Sequence, residues 1–135
     1  MPDAERAGRG AAYMATLDPG LEGALRKGMA PIAPDFADMM VEFGYGEMMS
    51  RPGLDPKSRQ MVTLGALAAL GHPVDQLKGH INGALSVGVT PAEIVEALMQ
   101  VALYAGFPAA TNALRVAKRV FADRGVSPLP QTGEA

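Results

Sequence analysis

Asp55-Pro56-Lys57-Ser58-Arg59-Gln60 leads directly into Met61-Val62-Thr63-Leu64-Gly65-Ala66-Leu67-Ala68-Ala69-Leu70, and the reading of this stretch decides the fold. Aspartate followed by proline is a helix start. The carboxylate accepts from the free N–H groups of the first turn, and proline at the first helical position lacks only an N–H that would have no partner. Polar side chains occupy the first turn alone. Beyond it the stretch is apolar on every side, the pattern of a helix buried at the centre of a helical domain. It is far shorter than the ~20 apolar residues of a membrane span.

Downstream, Gly71-His72-Pro73 breaks this helix and opens another, in which Val74, Leu77, Ile81, Ala84 and Leu85 form one stripe ended by Gly88. Thr90-Pro91-Ala92-Glu93 is a capping box with proline inside it. The helix it opens carries Ile94, Leu98, Val101 and Ala105 and is expected to run to Gly106. Pro108 starts a last helix through about Arg124, with Gly125 closing it. Upstream, Pro34-Asp35 opens a segment with Phe36, Met39, Met40 and Phe43 at helical spacing, and Gly44 is expected to stop it. Residues 45–54 then read as an apolar loop between helices. Ala4 to Leu17 reads as a helix and Pro19 to Gly28 as a short second one, both weakened by glycines. There is no sustained period-two run bounded by hairpin turns. The expectation is a single all-α domain over residues 1–125, compact and built of five to seven helices. A disordered tail over 126–135 is expected from Pro128, Pro130 and Gly133.

Composition narrows the chemistry. The 135 residues include no cysteine, which excludes disulfides, thiolate metal sites and thiol nucleophiles. Twelve Lys and Arg against fourteen Asp and Glu, scattered along the chain, make nucleic acid an unfavourable partner. The start, Met1-Pro2-Asp3-Ala4-Glu5, has neither the basic residues nor the apolar stretch of a signal peptide, so a soluble cytoplasmic protein is expected. Aromatics are only 5% against 48% hydrophobic residues, so Leu, Ala, Val and Met must pack the core. So apolar a small chain also suggests that part of its apolar surface is covered by a second subunit.

Motif searches leave few candidates. Gly8-Arg9-Gly10 and Gly44-Tyr45-Gly46 lack the third glycine and the strand of a dinucleotide site. The two histidines, His72 and His80, are not spaced to share a metal, and no metal site is expected. His80 flanks the stripe Leu77–Ile81–Ala84 and would lie at the core margin, either satisfied by a backbone carbonyl or available for proton transfer. Glu47 and Arg51, four apart in the segment 45–54, read as a salt-bridged connector or as an acid/base group with a carboxylate clamp. Arg59 sits in the first turn of a helix, where a cation is mildly unfavourable, and reads as a bidentate anchor for an anion or as a side chain that merely solvates the helix start. Tyr104, one turn after Gln100, reads as core or as a hydroxyl offered to a ligand. His72, before Pro73, reads as an exposed capping residue.

Four stretches resemble the carboxymuconolactone decarboxylase family: Tyr-Gly-Glu-Met-Met-Ser-Arg-Pro-Gly-Leu (45–54), Lys-Ser-Arg-Gln-Met-Val-Thr-Leu (57–64), His-Ile-Asn-Gly-Ala-Leu-Ser-Val-Gly-Val-Thr (80–90) and Tyr-Ala-Gly-Phe-Pro-Ala-Ala (104–110). Together they cover about residues 40 to 122 in order. The resemblance implies an alkyl hydroperoxidase D-like helical fold in a ring-like homo-oligomer, a trimer or hexamer, and a cofactor-free decarboxylation of a γ-carboxylated unsaturated lactone in aromatic catabolism. It also implies catalytic roles for His80, Glu47 and Arg59, with Arg51, Tyr104, Met49 and Asn82 toward the substrate. The enzyme that names the family would carry Trp where Met49 stands and Arg where Asn82 stands. The thiol-dependent branch places cysteines four and seven residues before the histidine; here those positions are Gln76 and Pro73, so thiol-based peroxide reduction is excluded. A family member turned to another enolate reaction and a non-catalytic ligand-binding oligomer are the other readings.

Overall fold

The computed structural model describes residues 3–130. Every regular element among them is helical, in the order α1 (Ala4–Leu17), α2 (Leu21–Met29), α3 (Pro34–Met39) continuing as a π-helix (Met40–Met49), α4 (Pro56–Leu70), α5 (Val74–Ser86), α6 (Pro91–Gln100), α7 (Ala102–Ala105) and α8 (Phe107–Arg124). The expected all-α class is what the chain adopts. The described helices number seven, the top of the expected range, if the π-helix counts with α3 and the single turn α7 is set aside. They fall into two compact units, Met1–Pro56 and Lys57–Ala135.

In the first unit, Asp3 caps α1 by accepting from the N–H groups of Glu5 and Arg6. The helix then packs along the π-helix at two glycines. A Cβ on Gly10 would lie 2.1 Å from the carbonyl oxygen of Val41, and one on Gly46 would lie 2.2 Å from that of Arg6. Only hydrogen fits at either place, so the backbones meet directly. This corrects the sequence expectation that Gly44 ends a helix and that 45–54 is a loop. The helix passes through Gly44, whose Cβ position has nothing within 4 Å, and continues to Met49 as a π-helix; the close approach is made two residues on, at Gly46. The stripe moves as well. Phe36, Met39 and Phe43 are exposed, while Ala37, Val41 and Gly46 are buried. Val41 and Gly46 are five residues apart, one π-turn, so the close-packed side is chosen by small residues and not by the large apolar ones. Arg26 ties α2 to α3 by donating to Glu22 at 2.9 Å and to Asp38 at 2.7 Å.

The glycine crossing gives a direct test by urea unfolding. Gly10→Ala and Gly46→Ala should each lower stability by about 1–3 kcal/mol, the usual cost of overpacking a rigid contact. Gly23→Ala, on α2 with nothing within 4 Å of its Cβ position, should instead be neutral or stabilising by up to about 1 kcal/mol.

In the second unit, Leu64 and Ala68 of α4, Leu77, Ile81 and Ala84 of α5, Ile94 and Leu98 of α6, and Val116, Val120 and Phe121 of α8 share one core. The capping box forms: Thr90 Oγ1 accepts from the N–H of Glu93, and Glu93 Oε1 accepts from the N–H of Thr90. The expectation that α4 is buried all round is not met. Its buried side chains are Gln60, Leu64 and Ala68, one stripe at four-residue spacing, while Val62 and Leu70 are more than half exposed. With α6 and α7 its outer face walls an open groove of about 850 Å³, lined by Met61, Val62, Gly65, Ala69, Met99 and Tyr104 among others. The helix expected to run to Gly106 stops at Gln100, and α7 supplies a separate turn before Gly106, whose φ of 96° ends it.

At the far end of α8, Gly125 adopts φ 66°, and the N–H of Val126 returns to the carbonyl of Phe121 at 3.0 Å, a Schellman closure. Of the tail expected to be disordered, residues 126–130 therefore begin by folding back on α8, and 131–135 lie outside the described residues.

Candidate functional site

His80 lies on α5 one residue before the buried Ile81, which sets its ring at the core margin, half-buried. Gln60 faces it from the buried stripe of α4, fully enclosed at 0% exposure. Gln60 Oε1 stands 3.0 Å from His80 Nδ1. An amide oxygen can only accept, so the proton in this bond belongs to Nδ1, and the neutral ring presents Nε2 as a lone pair. Burial pushes the His80 pKa below its ordinary 6.5. Desolvation disfavours the charged imidazolium while the amide fixes the tautomer. The pair therefore holds an oriented, neutral proton acceptor near neutral pH.

The same shift has a consequence for folding. Below pH 6.5 the unfolded chain takes up the His80 proton before the folded chain does, so stability is full above that pH and falls as the pH drops toward the lower native value. Thermal unfolding should show the wild type losing stability between about pH 7 and pH 5 more steeply than His80→Gln, with parallel behaviour above about pH 7.5.

The other anticipated residues are spread over both units. Arg59 is half-buried beside Gln60 on α4, and its carbonyl accepts from Thr63 Oγ1 at 2.9 Å. Asn82 turns its amide back onto its own helix, donating to the Lys78 carbonyl at 3.2 Å, while Arg124 donates to the Asn82 carbonyl. Tyr104 is 87% exposed on the wall of the α4–α6–α7 groove. In the first unit, Glu47 does form an ion pair, with Arg6 of α1 at 2.8 Å. Met49 is the half-buried last residue of the π-helix, and Arg51 follows it, exposed. His72 is exposed, as expected. Among the described residues no cluster of three or more His, Cys, Asp or Glu could hold a metal ion, and no helix is long and apolar enough to cross a membrane.

The sequence reading did not single out Gln60, the buried partner of His80. The signal was present: Gln60 lies four before Leu64 and eight before Ala68, on the stripe that α4 buries. The sequence reading placed it only among the polar side chains of the first turn. Arg6 carried no such signal, because only tertiary packing brings it to Glu47.

The sequence pattern of the carboxymuconolactone decarboxylase family matches residues 34–119, a span that contains both His80 and Gln60. The chain belongs to this family. Within it, the chain is 40% identical over 94 residues to the 4-carboxymuconolactone decarboxylase of Acinetobacter baylyi, covering 70% of this chain and 69% of that one. It is 34% identical over 103 residues to the nitrosuccinic acid decarboxylase of Metarhizium robertsii, covering 76% and 71%. An uncharacterized 15.0 kDa protein of Paracoccus denitrificans shares 33% over 108 residues, covering 79% and 81%. Carboxymuconolactone decarboxylase family membership thus rests on most of the chain, including the helices that carry the buried pair.

Proposed function

We propose that this chain is a cofactor-independent carboxy-lyase of the carboxymuconolactone decarboxylase type, acting on a small γ-carboxylated unsaturated lactone. The observation that carries the reading is the His80–Gln60 pair, a neutral imidazole of fixed tautomer at a core margin. The chemistry asks for such a group. When the carbon–carboxylate bond breaks, its electron pair moves through the conjugated double bond onto the lactone carbonyl oxygen, and carbon dioxide leaves. A proton delivered to the α-carbon then restores the carbonyl and leaves the double bond shifted. The substrate is its own electron sink, so the protein has to hold a carboxylate, stabilise a developing oxyanion and move one proton. Arg59, at the head of α4, takes the anion in this reading, and His80 Nε2 accepts a proton from a solvent water and passes it to the α-carbon, so that carboxylate and water become product, carbon dioxide and hydroxide.

Asn82 favours a second reading. Its amide is committed to the Lys78 carbonyl and carries no charge, where the enzyme that names the family would place an arginine. A different carboxylated substrate fits that change. Nitrosuccinic acid, on which a relative acts by its name, loses carbon dioxide beside a nitro group. The nitronate that forms likewise needs a proton on carbon, so the same histidine would serve.

Incubation of purified, chelator-treated protein with 4-carboxymuconolactone and with nitrosuccinic acid, following carbon dioxide release, decides among these. Turnover of the lactone above its spontaneous rate supports the first reading, turnover of the nitro acid alone supports the second, and no turnover of either contradicts both. The exposed apolar side chains Val62, Met99, Leu103 and Tyr104 support a homo-oligomer that covers the groove face. Light scattering should then give a mass several-fold above the 14.0 kDa of one chain.

A further inference from the structure

We propose that Gln60 is itself a substrate-binding residue: its Nε2 donates to a carboxylate oxygen of the bound substrate while its Oε1 holds His80. Gln60 is the buried polar side chain of the core at 0% exposure, and half of its amide is spoken for by His80 Nδ1 at 3.0 Å. The other half is not: among the described residues, the buried Nε2 meets no acceptor. Leaving a buried donor unsatisfied is costly, and leucine or methionine would fill the same volume without that cost. The donor is enclosed and without a partner among the described residues, so an acceptor from outside the chain completes it by entering at the half-buried rim beside His80.

The surroundings say which acceptor. The first turn of α4 has no acidic residue and carries Lys57 and Arg59, and Gln60 follows directly, near the helix end where the backbone dipole is positive. An oxygen with negative charge is favoured over a neutral one, and its bond to a buried N–H is of the stronger, charge-assisted kind. Because Oε1 and Nε2 sit on one carbon, an oxygen held by Nε2 also lies close to the imidazole. The two bonds reinforce each other. An amide that donates to an anion gains negative charge on its oxygen, which strengthens the bond from Nδ1–H and makes Nε2 of His80 a better base. Substrate arrival would thus tune the group that moves the proton.

The inference rests on the carboxy-lyase reading for its ligand class but fails separately from it. Succinate, a four-carbon dicarboxylate, serves as the probe for the full-length protein. Its titration should give a saturable shift of the Gln60 side-chain NH2 resonances together with those of the His80 ring. Gln60→Met, which keeps the volume and loses the donor, should weaken succinate binding by about ten- to a hundred-fold. If that variant does not fold, the wild-type titration decides alone. A saturable shift at His80 with the Gln60 NH2 unmoved overturns the inference, as does a folded Gln60→Met that binds like wild type. So does the lack of any saturable shift at about 50 mM succinate, where even millimolar affinity would fill the site. Shifts at Gln60 in a protein that decarboxylates neither substrate would uphold the inference while the carboxy-lyase reading fell.

Discussion

His80→Ala lowers kcat for decarboxylation by about 10²–10⁴-fold, the usual contribution of one positioned proton-transfer group. The loss falls on kcat more than on KM, because the imidazole acts when charge is on the carbanion and the proton is moving, not when the substrate docks. In the wild type, kcat/KM stays level from neutral pH down to below 6.5 and falls only as His80 takes up a proton, since burial holds its pKa under the ordinary value. The variant lacks that limb. Circular dichroism and the assembled mass should match wild type, because the residue lies half-buried at the rim of the core and the neighbouring Leu77, Ile81 and Ala84 keep the packing. A folded His80→Ala protein with wild-type kcat would make the histidine structural.

Gln60→Leu separates activity from stability. On folding, the substitution removes the 3.0 Å bond to His80 Nδ1 but also removes the unsatisfied Nε2. The first costs about 1–3 kcal/mol, and the second returns a penalty of similar size, so the net change in unfolding free energy should be within about 1 kcal/mol. Activity has no such compensation. Without an acceptor at Nδ1, the ring loses its fixed tautomer and orientation, and turnover should fall by about ten- to a hundred-fold, much less than for loss of the imidazole itself. A buried polar group that can be replaced at almost no cost in stability, yet is needed for the reaction, has the signature of a functional residue. Urea unfolding and steady-state kinetics on the same preparation check both halves. A large loss of stability with unchanged turnover would make the pair a structural clasp.

The two units differ in how much of them could be read from sequence. The start of α4 at Pro56, the capping box of α6, and the closure of α8 at Gly125 come from local backbone chemistry, and the structure has each of them. Of the stripe expected at Val74, Leu77, Ile81, Ala84 and Leu85, the structure buries Leu77, Ile81 and Ala84, half-buries Leu85 and leaves Val74 exposed. The errors share one cause. Whether an apolar side chain is buried depends on what packs against it, and spacing alone does not say. Phe36, Met39 and Phe43 look like a core stripe, but the contact that forms is backbone to backbone at Gly10 and Gly46, and the large residues are left outside. Glycine signals a stop or a close approach, and the local pattern of Gly44-Tyr45-Gly46 does not show that the helix passes Gly44 and makes its close contact at Gly46.

The site divides in the same way. His80 was legible because a lone titratable group beside an apolar stripe is unusual on local grounds. Its partner was visible only as a polar residue one turn ahead of an apolar run. Glu47 was legible as a carboxylate in an apolar segment, and its partner Arg6, on a distant helix, was not. Family resemblance supplied what neither spacing nor composition contains, namely a reaction in which a histidine needs no metal and no thiol.

The state of the His80 ring is the point on which the proton-transfer chemistry depends, and long-range proton–nitrogen correlation spectra of the wild-type protein read it directly. A neutral ring with its proton on Nδ1 at pH 7, titrating below 6.5, and losing its fixed tautomer in Gln60→Leu while burial still holds its pKa low, is the expected result. A ring with its proton on Nε2 at pH 7, or one that titrates at or above 6.5, would contradict it.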